Sequence, residues 1–175
     1  NYGFSQGDIG KAMITFADTR SATRATIGYQ DADAINEAKD MHDTKKEKFE
    51  GYFETMKDTL VTAEEESLYE DIESVLESYW ALDDEILTLG STTDSEKSLE
   101  AQTMAYEQLD PLYEDVYDDM LELLNVNVNK GNSLSKTLTG VSAICVVAIL
   151  AVSVVSYLTA QKIGKGIADG IAVPI

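Results

Sequence analysis

Leu138 to Ala160 reads LTGVSAICVVAILAVSVVSYLTA. No charged residue occurs from Thr137 to Gln161, and Lys136 and Lys162 close the run on either side. About 20 residues at a rise of ~1.5 Å cross the ~30 Å hydrocarbon core of a bilayer, so this run predicts a transmembrane helix with length to spare for tilt. A buried helix of a soluble protein is the competing reading, but core helices of this length ordinarily carry charge on one face. The run lies near the C-terminal end, which does not fit a signal peptide. Gly140, Ser142, Ala143, Ser153 and Ser156 would let a second helix approach closely, although no strict GxxxG is present. Cys145, the one cysteine, sits inside the run and reads as a small apolar filler. A single cysteine leaves no intrachain disulfide and no cysteine metal site.

Outward from this run the chain is acidic. Asp and Glu number 32 against 13 Lys and Arg, a formal net charge of -19. That balance excludes nucleic acid as a partner, because phosphate backbones need basic patches. It also opposes flat docking on anionic lipid headgroups. Only two prolines occur, Pro111 and Pro174, and Ala, Leu, Glu and Lys are abundant, which is the composition of long helices. Roughly 135 residues precede the run, enough for one domain with one core.

Four helical stripes fill that region. Ile9, Met13, Phe16, Arg20, Thr23 and Ile27 recur at spacings of three and four, predicting a first helix from about Phe4 to Tyr29. Gln30 to Asp33 supplies a turn and an N-cap. Ile35, Ala38, His42, Lys45, Phe49, Tyr52 and Met56 mark a second helix from about Ala34 to Leu60, interrupted by His42 and Lys45. Lys45, Lys46 and Lys48 read as a solvated face answering the surrounding acids. Thr62 and Glu65 form a capping box, with Glu64, Glu65 and Glu66 on the favourable side of the helix dipole. The third helix follows with Leu68, Ile72, Val75, Tyr79, Leu82, Ile86 and Leu89. After Gly90 to Asp94 the fourth carries Leu99, Gln102, Tyr106, Leu109, Tyr113, Val116, Met120 and Leu123. Pro111 should bend it or leave a local break. A weak point falls at Asn129–Asn132, beyond which the helix is expected to continue into the apolar run.

Similar helix lengths and short connections predict an all-α fold, an antiparallel up-down-up-down four-helix bundle continuing into a transmembrane helix. Helices of about 26 residues at ~1.5 Å each make a rod of ~40 Å standing on the membrane. Asn1 would then lie beside the bilayer, and a first membrane span is expected before it, in a longer protein cut at both ends. Residues 1–136 form the bundle, 137–161 the span and 162–175 the start of a linker.

This order of parts resembles the sensor region of methyl-accepting chemotaxis proteins. Asp18-Thr19-Arg20-Ser21-Ala22-Thr23-Arg24 is similar to that family's arginine-rich first-helix segment. Leu60 to Glu65 is similar to its second-to-third helix junction, and Tyr79 and Trp80 sit where its third helix often carries an aromatic. Lys162 to Ile175, with Pro174, resembles the opening of a HAMP linker. The resemblance implies a ligand-sensing homodimer packed through helices one and four. It places the bundle outside the cytoplasm in a multi-pass protein of the cell membrane. A small helix shift would pass to a cytoplasmic output domain, and a chemotaxis kinase and coupling protein would be engaged there. Flanking lysines do not decide the orientation. The same front end occurs on membrane histidine kinases and cyclic-nucleotide enzymes, and a membrane-tethered structural or fusion bundle is a further alternative.

Catalytic patterns are missing. His42 is the only histidine, so the paired Glu-x-x-His of a di-iron bundle cannot form, and neither a phosphate loop nor HExxH occurs. No metal, cofactor or enzymatic activity is expected. Asp83-Asp84-Glu85 and Asp118-Asp119 lack EF-hand spacing and read as a solvated acidic face. Arg20 and Arg24 lie four apart on one helical face, with Arg20 in the apolar stripe. Two readings stand: a structural salt bridge to one of the many acids, or capture of a ligand carboxylate by the guanidinium fork. At ~1.5 Å per residue Arg20 lies ~28 Å above the membrane, and Asp43, Tyr79, Trp80, Tyr113 and Tyr117 fall near that height. In the family, amino-acid-binding members use first-helix arginines at the dimer interface. A carboxylate-bearing small molecule is therefore expected at Arg20 and Arg24, walled by Tyr79, Trp80 and Tyr113.

Overall fold

The computed structural model describes residues 2–171 and divides by compactness into two units, Asn1–Gly131 and Asn132–Ile175. Asn1 and the stretch from Ala172 to Ile175, which includes the linker's Pro174, lie outside the described residues.

The described backbone is helical throughout apart from short connections. The elements are α1 (Tyr2–Gly28), α2 (Ala32–Lys57), α3 (Ala63–Gly90), α4 (Ser95–Met104), a π turn (Ala105–Leu109) and α5 (Asp110–Ile171). Local chemistry sets each start. Asp31 caps α2 by accepting from the Ala34 amide, and Asp94 caps α4 by accepting from Glu96 and Lys97. The capping box at α3 is formed as expected, with Thr62 and Glu65 exchanging side-chain and backbone bonds. Chain direction alternates: Ser98 at the start of α4 donates to the Ile27 carbonyl at the end of α1 (2.5 Å). Lys130, far along α5, reaches Thr62 and Glu64 at the start of α3. The first unit is thus the expected antiparallel four-helix bundle, α4, the π turn and the front of α5 making its fourth rod.

The core follows the stripes on α1 and α2: Ile9, Met13, Phe16, Thr23 and Ile27 are buried, as are Ile35, Ala38, His42, Phe49 and Met56. Buried Thr15, Thr19, Thr23 and Thr26 turn their hydroxyls back to the carbonyls four residues earlier, so the polar atoms on this face are satisfied. On α3 the stripe is only half right. Ile72, Tyr79 and Ile86 are buried, but Leu68, Val75, Leu82 and Leu89 are only partly so, and the inner seam includes Glu65, Tyr69, Leu76, Asp83 and Leu87. A helix in a bundle touches two neighbours, and so buries a wider arc than a heptad seam. Gly90 sits where α1, α3 and α4 converge. A Cβ there would come within 2.6 Å of Ala101 and Ile27.

The fourth rod departs from expectation. Leu99 and Tyr106 are exposed, at 65% and 75%, while Ser98, Ala101 and Ala105 face the core. From Leu109 onward the expected positions Val116, Met120 and Leu123 are buried. The π turn lies between the two registers. Its wider winding also resolves the problem set by Pro111: the Asp110 amide bonds the Ala105 carbonyl five residues back, and helix continues on both sides. Pro111 therefore leaves no local break; the chain takes a π turn just before it instead.

The second unit is helical to Ile171, and α5 shows no interruption at Asn129–Asn132. Among the described residues one helix is long and apolar enough to cross a membrane. Its described side chains, Leu138, Val141, Ile144, Cys145, Val146, Val147, Ile149, Leu150 and Val152, are exposed.

Candidate functional site

Phe16 of α1 holds the centre of the bundle. Its ring lies 5.1 Å from Phe49 of α2, 4.8 Å from Tyr79 and 5.9 Å from Trp80 of α3, and 5.0 Å, stacked, from Tyr113 of α5. The aromatic layer expected from helix heights is thereby assembled around a residue that the height count did not single out. One turn on, Arg20 lays its guanidinium 4.2 Å over the Tyr113 ring. The same guanidinium donates to Asp110 through Nε at 3.0 Å and a terminal nitrogen at 2.9 Å. Arg24 binds the other oxygen of Asp110. One carboxylate is thus clamped by two arginines, and it belongs to the chain itself. Asp110 is 13% exposed, Arg20 25% and Arg24 48%, so the clamp is partly buried on the Arg20 side and open on the Arg24 side.

The five expected site residues share this layer but not one cavity. Arg24 opens onto a hollow of about 290 Å³ lined with Ile27, Gly28, Gln102, Ala105 and Tyr106. Trp80 lines a different groove, between α2 and α3. Tyr79 is fully buried, and its hydroxyl has no hydrogen-bond partner among the described residues. Burial, and then the charge of Asp83, push that phenol well above its ordinary range. Tyr113 is raised too, by burial, against the opposing pull of Arg20.

A second polar cluster lies beside this layer. Asp83, fully buried, accepts from Thr23 at 2.8 Å and lies 2.7 Å from His42 Nε2, while Nδ1 of His42 is 3.0 Å from Asp43. Burial works against a charged imidazole, but Asp83 and then Asp43 outweigh it, and the His42 pKa rises. The expectation of a solvated Asp83 is corrected here: an aspartate on the inner arc of α3 is stable only because His42 and Thr23 meet it. The legible signal was the polar residue at the His42 stripe position. Asp84, Glu85 and Asp118 are exposed as expected, and Asp119 is half-buried. Among the described residues no group of three or more His, Cys, Asp and Glu is arranged to hold a metal.

A family model described as a four-helix-bundle sensory module for signal transduction matches residues 6–139. The chain belongs to this family. The match bears out the resemblance to the sensor bundle of methyl-accepting chemotaxis proteins drawn from the first-helix and capping motifs. Comparison with curated proteins and with solved structures gives no match. The family is one of sensory modules, not of enzymes, and the sensor role extends to this chain. In this sensory module the arginine clamp, the buried His42–Asp83 pair and the buried carboxylate of Glu65 place charge inside the bundle.

Proposed function

We propose that the chain is the ligand-sensing part of a transmembrane chemotaxis receptor, with Arg20 and Arg24 as its carboxylate-binding pair. The observation that carries this reading is Asp110, clamped by both arginines at the end of the π turn. Its carboxylate occupies the place a ligand carboxylate would take, and Arg24 remains open to the hollow beside Gln102 and Tyr106. A small carboxylate-bearing molecule enters at Arg24, competes with Asp110 for the guanidinium forks, and has Tyr113 against Arg20 as its inner wall. Tyr79 and Trp80 support that wall through Phe16. π turns are rare and often found at functional sites, and release of Asp110 at the end of this one shifts the winding between α4 and α5.

Helix α5 begins at Asp110 and continues through the apolar run. A shift of ~1–2 Å at its start needs no further joint to be felt along the helix. The ligand moves the equilibrium only by its difference in affinity for the two windings, about 1–3 kcal/mol in typical cases. Residues 162–175 then act as the start of a HAMP linker to a cytoplasmic output that engages the chemotaxis kinase and coupling protein. The bundle stands outside the cytoplasm in a multi-pass protein. The receptor is a homodimer through helices one and four, a reading supported by exposed Ile14 on α1 and by Leu99 and Tyr106 on the fourth rod.

Organic acids and amino acids screened by thermal shift and by the fluorescence of Trp80, the sole tryptophan, are expected to yield a binder. Arg24→Ala should weaken it at least tenfold, and Asp110→Asn should tighten it by removing the internal competitor. Affinities within twofold of wild type in both Arg20→Ala and Arg24→Ala would show that the pair is structural.

A further inference from the structure

The groove between α2 and α3 has a chemistry of its own. It measures about 500 Å³ and is floored by Phe49, Phe53, Tyr69 and Trp80. These rings form a continuous row: Trp80 lies 5.7 Å from Phe49, Phe49 stacks on Phe53 at 5.6 Å, and Phe53 stacks on Tyr69 at 4.4 Å. Glu50 and Glu54 of α2 line one wall, and Glu73 and Glu77 of α3 the other. None of the four forms a salt bridge among the described residues. Their field is felt at the floor. Burial, then Glu73 and Glu54, push the Tyr69 phenol up to about 12.

Two ammonium groups of the chain already rest on this row. Lys46 Nζ lies 4.6 Å over the Trp80 ring at one end, and Lys57 Nζ lies 5.5 Å over Tyr69 at the other. The aromatic faces therefore accept cations at both ends, while the carboxylates between them keep an unneutralised charge. Along each wall the carboxylates are four residues apart, ~6 Å at ~1.5 Å rise per residue. That period matches ammonium groups separated by a chain of four methylenes. The methylenes themselves suit an aromatic floor.

We infer that this groove is a binding site for a linear aliphatic polyamine, its ammonium groups held by the four glutamates and its methylenes lying along the aromatic row. The site is separate from the arginine clamp and opposite to it in charge preference, so each stands or falls alone. Binding is also favoured at long range by the acidic bundle.

The test uses the whole chain in nanodiscs of zwitterionic lipid at fixed ionic strength, titrated with spermidine and with 1,4-diaminobutane while Trp80 fluorescence is followed. Saturable binding is expected, with spermidine tighter than diaminobutane and n-butylamine at least tenfold weaker than either. Glu54→Gln with Glu73→Gln should weaken spermidine at least tenfold, whereas Asp40→Asn with Glu47→Gln, an equal loss of charge elsewhere on α2, should leave it within twofold. Lys57→Gln should tighten it severalfold by vacating the Tyr69 face. Magnesium giving the same fluorescence change at equal charge concentration would overturn the inference. So would equal weakening by the two double variants, since either result reduces the groove to an unspecific acidic surface.

Discussion

His42 is where a single residue has the largest consequence for the bundle's pH behaviour. Its imidazole is buried between Asp83 and Asp43, and its pKa in the folded chain is raised above the ordinary 6.5. A group of this kind contributes stability that is complete below the unfolded value and is lost as pH rises through the folded one. Stability should therefore fall from about pH 6 toward pH 8. Chemical denaturation of the whole chain at those two values would show it. His42→Gln should be less stable at pH 6 and should flatten the slope. An equal slope in the variant would assign the pH dependence to other groups. Arg20 is the opposite case. Its sequence position allowed two readings, and Asp110 makes it at once a structural partner and, in the proposed mechanism, a displaceable one.

At the scale of elements, the junction between α2 and α3 is tied more densely than its length suggests. Glu65 is fully buried, and one of its oxygens accepts from the Val61 and Thr62 amides and the Thr62 hydroxyl. Burial alone would raise its pKa, but these bonds and the charge of Lys130 bring it below the ordinary carboxylate value. Asn127 of α5 reaches the other oxygen at 3.3 Å, and Lys130 donates to Thr62 at 2.7 Å. The cap of one helix is thus also the anchor of another. Thr62→Ala should cost about 1–2 kcal/mol, at the upper end for an N-cap, because it also removes a donor from a buried carboxylate. Thermal or urea unfolding would measure this. A loss below about 0.3 kcal/mol would mean that water replaces the hydroxyl without cost.

Across the whole molecule, self-repulsion among the acids is expected to outweigh attraction between exposed charges. The formal charge is -19, and the acids crowd one another even where they are solvated. The half-buried Asp119 has its pKa raised by burial first and then by Asp71, Glu122, Asp115 and Asp118. Screening relieves such repulsion within a Debye length of ~10 Å at 0.1 M salt and ~3 Å at 1 M. The melting temperature of the bundle should therefore rise by a few degrees between about 0.05 and 0.5 M sodium chloride. A fall would instead give the exposed ion pairs, such as Lys45–Asp18 and Lys130–Glu64, the larger share of the electrostatic energy.

The sequence by itself determined the apolar run, the four helices, their caps and the antiparallel order, because each depends on neighbours within a turn or on connections too short to allow another arrangement. The stripes of α1 and α2 named much of their core for the same reason, although Ala12, Thr19, Ala22 and Phe53 are buried outside them. Tertiary structure alone decided the rest. The π turn moves the buried register of α4 by one residue, and only packing against α1 and α3 selects Ala101 and Ala105 over the larger Leu99 and Tyr106. Asp83 looked like one more surface acid until His42 and Thr23, on two other helices, were brought to it. Arg20 and Arg24 were visible as a pair, but the carboxylate they hold lies 86 residues beyond Arg24. A helix fixes what lies three or four residues away. Which charge meets which across a bundle is set by the rotation and height of each helix, and local periodicity does not encode either.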